Sequence, residues 1–332
     1  MREPGSPRSA DAVKLCEHPD FEQAVIRAAE HFRTRGLRES LIEKDYFVTE
    51  ALRLLEHAAG QLIIFKGGTS LSKGWGLIER FSEDVDIFLD PAAFDPALGK
   101  RAIDRELRKL KEAVAKHPGL TFLTGESQTI GGFGRNDRFE YVQRFADIGD
   151  IRNRVLVESG SASGREPTER VPIQSYVGQF LAEAGVSLGA EDEGPFEMRL
   201  LHFRRTFVEK MFAIHGKVDA FVRAGLPIGA YARHYYDLYC LAGTSEVRAM
   251  LATDEYAAIK ADYDRISTEY FAKSYVAPPG MTFARSNALF PTGNLAIALA
   301  AEYESQCRAL CFGQFPSWSA VEARLEALRH LL

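Results

Sequence analysis

The segment from residue 65 to residue 89, FKGGTSLSKGWGLIERFSEDVDIFL, constrains the fold more than any other stretch of the chain. An apolar run over 62–65 reads as a short buried strand that ends in the turn Gly67-Gly68-Thr69-Ser70. A helical stretch interrupted by Gly74 and Gly76 follows, and the chain returns as a second strand carrying Asp84 and Asp86. Alternate residues of a strand face one side. Val85 and Ile87 are therefore expected to face a core while Asp84 and Asp86 project together. Two carboxylates so close raise each other's pKa unless a cation lies between them. Mg²⁺ suits such a pair, being a hard ion that prefers carboxylate and phosphate oxygens, with Mn²⁺ as the alternative. The competing reading is a solvated edge strand.

The turn upstream of this pair offers a place for phosphate. Gly67 and Gly68 let backbone N–H groups approach a ligand closely, and a helix N-terminus adds partial positive charge. Thr69 and Ser70 either cap the helix or give hydroxyls to a phosphate, and Lys66 and Lys73 supply full charges. Alone, such a turn is an ordinary strand–turn–helix. The P-loop spacing of Gly-x4-Gly-Lys-Ser/Thr is absent. A phosphate turn beside paired carboxylates is the apparatus of metal-dependent phosphoryl or nucleotidyl transfer.

The rest of the chain sets the frame. With 332 residues, 46% of them hydrophobic, it can build two domains or one large one. A net charge of −5 argues against a protein that coats duplex nucleic acid, so any such contact is expected to be a local basic patch. The start, MREPGSPRSADAV, lacks the apolar core of a signal peptide, residues 1–11 read as frayed, and no apolar run reaches membrane-spanning length. A cytoplasmic protein without membrane contact is expected. Cys16, Cys240, Cys307 and Cys311 are scattered and lack a second ligand pair, which argues for plain helix thiols over a zinc site.

Helical periodicity covers much of 19–57 and 101–117, and strands are expected over 120–123, 138–145, 154–158 and 171–175, with a turn at Gly131-Gly132. From Pro195 onward the pattern is mostly helical. The expected class is α/β (α+β): a mixed sheet with flanking helices in residues 1–190, then a helical domain over 191–332 that completes a cleft.

Several motifs together resemble one family. Glu43-Lys44-Asp45-Tyr46, then Phe65-Lys66-Gly67-Gly68-Thr69-Ser70-Leu71-Ser72-Lys73, then Arg80-Phe81-Ser82-Glu83-Asp84-Val85-Asp86 look like the AbiEii/AbiGii-type, MenT-like nucleotidyltransferase toxins. These belong to the DNA polymerase β-like nucleotidyltransferase superfamily. The resemblance resumes at Arg205-Thr206-Phe207-Val208-Glu209-Lys210 and at Arg233-His234-Tyr235-Tyr236-Asp237-Leu238-Tyr239, and so spans roughly residues 40–245. It implies an NTP as substrate, a tRNA 3′ end as acceptor, a block of translation, and a separate antitoxin protein.

Three further positions then matter. Two-metal chemistry generally takes a third carboxylate. Glu158, closing the strand Arg154-Val155-Leu156-Val157-Glu158, is either that ligand or a surface glutamate, with Asp147 and Asp150 as weaker rivals. Lys210 beside Glu209 reads as a solvated ion pair on its own; the resemblance implies that it points into the cleft toward the triphosphate. Arg233 and Asp237 share a helix face and read as an intrahelical pair; the resemblance makes Asp237 a cleft acid. Thr69 and Ser70 are also attractive positions for control by phosphate. Arg199, His202, Arg204 and Arg205, with Arg152 and Arg154 elsewhere, either hold RNA phosphates or are dispersed surface charge. Two rival functions stay open: transfer to a protein or small-molecule hydroxyl, and a catalytically inactive nucleotide- or partner-binding module.

Overall fold

The alternation that separates Val85 and Ile87 from Asp84 and Asp86 runs through a whole mixed sheet in the computed structural model, which describes residues 13–82, 84–146 and 152–332. The readings placed on residues 1–11, Glu83, Asp147 and Asp150 lie outside the described residues. Two helices come first, α1 (Phe21–His31) and α2 (Glu39–Ala59), then β1 (Ile63–Lys66), α3 (Gly67–Lys73), β2 (Asp84–Leu89) and α4 (Lys100–Val114). Strands β3 (Thr121–Phe122), β4 (Gln128–Ile130), β5 (Gly134–Glu140), β6 (Arg154–Gly160) and β7 (Thr168–Ile173) follow, then α5 (Tyr176–Glu183) and β8 (Phe196–Leu201). Helices complete the chain: α6 (Phe203–Ala224), α7 (Arg233–Ala242), α8 (Ser245–Leu251), α9 (Asp254–Phe271), α10 (Gly293–Leu310) and α11 (Trp318–Leu328).

The sheet order is β3-β5-β6-β2-β1-β8-β7, with β4 paired to β5. β1 runs antiparallel to β2, while β2 runs parallel to β6. One face carries Ile63, Phe65, Val85, Ile87, Val155, Val157 and Met198 and packs into a continuous core with α1, α2, α4 and α5. Burying a side chain of this size contributes roughly 1.5–3 kcal/mol, so this layer fixes which residues turn to the other face. Helix α2 lies at the centre of the layer and is buried nearly all round, charged residues included. Glu43 accepts from the backbone of Arg144 and Phe145, and Arg53 binds Glu50, so the charges of α2 are held in place rather than solvated.

A second core joins α6 through α11, and Leu71 and Ile78 of the early chain belong to it. Phe196–Leu201 is a strand of the sheet although it follows the expected boundary at 190. Met198, Leu200 and Leu201 are all fully buried, so two-residue and three-residue spacings occur together and do not separate strand from helix over so short a run. The segment between α3 and β2 is stitched to the distant end of α10. Phe81 N donates to Leu310 O at 2.8 Å, and Phe312 N donates to Glu79 O at 3.1 Å. No helix among the described residues is long and apolar enough to cross a membrane.

Candidate active site

Strand register brings the acids together. Lys66 lies opposite Asp86 on β1, Glu158 lies opposite Asp86 on β6, and Asp84 lies opposite Leu156. Lys66, Asp84, Asp86 and Glu158 therefore share the face turned away from the first core. They line a cavity of about 430 Å³ whose other wall is built from α6, α7 and α9. Burial first, then repulsion from Asp84 against the pull of Lys66, pushes the Asp86 carboxyl up to about 6. Burial, then Asp86 and Asp84, push Glu158 up to about 7. Mutually repelling carboxylates of this kind are a donor set suited to a cation. Their all-oxygen chemistry fits a hard divalent ion. Asn136 Nδ2 donates to Glu158 Oε1 at 3.0 Å and fixes that side chain from the neighbouring strand.

Gly67 has φ of 78°, and a Cβ there would lie 1.9 Å from Asp86 Oδ2. Only glycine lets the turn pass beneath the carboxylate. Gly67 and Gly68 both line the cavity. The hydroxyls that follow do not reach it. Thr69 Oγ1 donates to Asp84 O at 2.5 Å and Ser70 Oγ to Gly67 O at 2.9 Å, so both brace the turn from within. Lys73 is likewise directed elsewhere: it is paired to Asp45 at 2.5 Å and is nearly buried against it. These three side chains are on the right segment, but the helix that starts at Gly67 turns them away from the acids.

Across the cavity, Asp237 is fully buried and gathers two cations. Arg80 donates to it through Nε and Nη2, both at 2.7 Å, and Lys210 Nζ lies 2.7 Å from Oδ2. Burial opposes the charge of Asp237, but Arg80 and Lys210 overcome it and hold the carboxyl well below the usual carboxylate range. His234 Nδ1 lies 3.2 Å from Lys210 Nζ. Burial, then the Lys210 charge, lower this imidazole to about 3, so it is neutral, and its Nδ1 lies between Lys210 Nζ and Asp237 Oδ2, 3.3 Å from the latter. Lys210 is thus held by Asp237 with His234 beside it, and it lines the cavity. Arg233 does not pair with Asp237, four residues on; its Nη2 lies 3.7 Å from Asp84 Oδ2. Arg233 Nε is buried with no hydrogen-bond partner among the described residues, a donor left over in a site lined with cations.

Sequence reasoning gave no role to Arg80, Ser163 or Tyr231. Lys66 donates to Ser163 Oγ at 2.7 Å and lies 3.3 Å from Glu209. Arg205 secures Glu209 at 3.0 Å, which makes Glu209 an anchor for Lys66 rather than a surface partner of Lys210. Arg80 stood in the quoted motif, and its full burial is what a sequence cannot show. Arg199, Arg204 and Arg205 are engaged with Glu166, Glu255 and Asp262.

A second cluster of metal-type residues lies under α2. Ligand atoms of Glu50, His117 and Asp192 come within 4.8 Å of one another. Gly119 N donates to His117 Nδ1 at 3.1 Å, which leaves the proton on Nε2 and no lone pair there for a cation. Lys14 and Arg53 neutralise Glu50 at 3.0 and 2.7 Å, while Tyr46 donates to Asp192 at 2.6 Å. This trio is a buried charge network that ties residues 14 and 15 to α2.

The family model described as "Nucleotidyl transferase AbiEii toxin, Type IV TA system" matches residues 52–323. Among solved structures, MenT4, a nucleotidyltransferase toxin from Mycobacterium tuberculosis H37Rv, aligns with a TM-score of 0.49 and 17% identity, covering 93% of this chain and 99% of its own. No curated protein matches the chain.

Proposed function

The chain belongs to the AbiEii nucleotidyl transferase toxin family, of type IV toxin–antitoxin systems, and on that premise we propose that it moves a nucleoside monophosphate from an NTP onto the terminal hydroxyl of an RNA. The acceptor we propose is the 3′ end of tRNA, so that modified tRNA stops translation; it rests on the resemblance set out above. One observation carries the transfer chemistry: Asp84, Asp86 and Glu158 share a sheet face in register, with Lys66 and Lys210 lining the same cavity.

Asp84, Asp86 and Glu158 are the residues that would hold Mg²⁺ or Mn²⁺. Bound there, the metal supplies charge neutralisation at the α-phosphate and acidifies the attacking hydroxyl. The chain's own residues do the rest. Gly67 and Gly68 offer backbone N–H groups at close range, and Lys66 and Lys210 take the charge that develops on pyrophosphate as it leaves. Asp237 acts through Lys210 and Arg80, fixing both cations before the nucleotide arrives. Tyr231, Tyr263 and Phe271 give the cavity aromatic surface for the base. Thr69, Ser70 and Lys73 shape the turn and its helix without touching the nucleotide through their side chains. The family also implies a separate antitoxin partner.

The test is incubation with each α-labelled NTP, Mg²⁺ and total tRNA, beside the Asp86→Ala variant. Label in tRNA that vanishes in the variant is the expected result. Label in protein or a small molecule alone would replace the acceptor class, and full transfer by Asp86→Ala would overturn the mechanism.

A further inference from the structure

The catalytic cavity has a neighbour. A second, polar cleft of about 390 Å³ is lined by Arg138, Arg152, Arg154, Glu126 and Leu156, and it shares Asp84 with the first. We infer that this cleft is the acceptor site, where arginines on and beside β5 and β6 grip the phosphodiester backbone of a single-stranded RNA end. The inference rests on the reading that the Asp84 cavity transfers nucleotides.

The sheet register lays the path. Asp84 pairs with Leu156, and Leu156 pairs with Arg138 on the strand beyond. One ladder row therefore runs Asp84, Leu156, Arg138 on the face that carries the acids. Strands are ~4.8 Å apart, which puts Arg138 about 10 Å from Asp84 across the sheet. Arg154 lies two residues before Leu156 on the same face of β6, and Arg152 precedes the strand and is exposed. The row of positive charge thus begins beside the carboxylate and leads away from Lys66 and Lys210.

That direction is what the chemistry asks for. In an in-line displacement the acceptor hydroxyl loses its proton to water, and its oxygen bonds to the α-phosphorus as the bond to pyrophosphate breaks on the opposite side. With the triphosphate held by Gly67, Lys66 and Lys210, the acceptor must enter past Asp84 from the other side. The second cleft is the space there, and its three arginines suit phosphate, whose geometry a guanidinium matches with two hydrogen bonds. A chain of net charge −5 keeps these cations together beside a catalytic carboxylate. Their present partners are replaceable. Arg154 contacts Glu126 and lies 3.7 Å from Glu140, and Arg138 donates to the Glu126 backbone. Glu126 is exposed, and ion pairs of that kind are weak and screened by salt. A polymer with one charge per unit meets the whole row at once, which favours nucleic acid over an isolated acidic side chain.

The probe is a fluorescein-labelled RNA hairpin with a single-stranded 3′ overhang, measured by anisotropy against salt on the full chain. Arg138→Glu with Arg152→Glu is expected to weaken binding about tenfold or more and to flatten the log Kd against log salt plot by ~0.7 for each phosphate no longer neutralised. Affinity for a fluorescent NTP analogue should change much less than affinity for RNA, because the nucleotide is held in the other cavity, where Arg138 acts only through its charge on Glu158. Arg138→Lys with Arg152→Lys should retain most RNA binding, which separates the effect of charge from misfolding. Unchanged RNA affinity and salt slope in the Glu variant would overturn the site even if wild type labels RNA. Wild type that binds no RNA and labels a protein would overturn both the site and the RNA acceptor. RNA bound through this cleft without any transfer would leave the site standing and overturn the proposed function.

Discussion

Asp237→Asn tests whether one carboxylate assembles the far wall of the cavity. The native side chain is completely buried and accepts from Arg80 twice and from Lys210 once, all at 2.7 Å. Asparagine keeps the shape, removes the charge and turns an NH₂ donor toward cations that have nothing to accept with. Removing one partner of a buried ion pair costs about 3–5 kcal/mol. At ~2 °C per kcal/mol for a chain of this size, the melting temperature should fall by roughly 6–10 °C. Lys210 escapes part of that cost by losing its proton, since burial already lowers it and Asp237 is what raises it. The variant's kcat should therefore fall about 10²–10³-fold, the scale of removing one cation from the transition state, with a smaller change in KM for NTP. Differential scanning fluorimetry and a labelled-transfer assay read both quantities. Adding Lys210→Met to Asp237→Asn should restore part of the stability, because the unpaired charge is gone. A melting temperature within about 1 °C of wild type, or a full additive cost for Lys210→Met, would refute the buried-network account.

Three further outcomes follow. Asp86 and Glu158 are raised to about 6 and about 7 without metal. For acids raised above their unfolded values, the metal-free protein gains stability from them as pH falls from about 8 through those values. At the proposed metal site Mg²⁺ would need both carboxylates ionised, so its apparent affinity should fall by up to about tenfold per proton for each pH unit below 7, read as the Mg²⁺-induced rise in melting temperature. Equal Mg²⁺ stabilisation at pH 5.5 and pH 8 would count against these ligands. Gly67→Ala drives a Cβ to 1.9 Å from Asp86 Oδ2 at a positive φ, so transfer should drop at least about 10²-fold while the first core stays folded. Near-native activity would mean that the turn moves freely. Ser70→Ala removes a hydroxyl bonded to Gly67 O and should cost about 1 kcal/mol with KM for NTP within about twofold; a tenfold rise in KM would put that hydroxyl on the nucleotide.

Local pattern carried the acid strand. Val85 and Ile87 are buried as alternation requires, and Asp84 and Asp86 face the cavity. The partner of that strand was harder to read, because β6 follows some seventy residues later and only the register sets Glu158 opposite Asp86. Residue type does not give orientation: Thr69, Ser70 and Lys73 have phosphate-binding chemistry, yet the helix beginning at Gly67 turns them inward. Spacing misleads when tertiary contacts compete. Arg233 and Asp237 are four apart, but Asp237 is taken by Arg80 from 157 positions away and Arg233 reaches Asp84. The strand Phe196–Leu201 was hidden because six residues do not separate a helical from an extended period.

The stitching of residues 79–81 to residues 310–312 has a consequence for the cell that makes this protein. Chains emerge from the ribosome N-terminus first, and domains fold as their residues appear. The strands that carry Lys66, Asp84, Asp86 and Glu158 can pair early. Arg80 is bound to Asp237, and the residues on either side of it are bonded to the backbone of residues 310–312, so its place in the wall is incomplete until that late segment has been translated. A half-made chain therefore has its acids without its finished cavity. A toxin of this family built in this way stays inert until its chain is nearly complete.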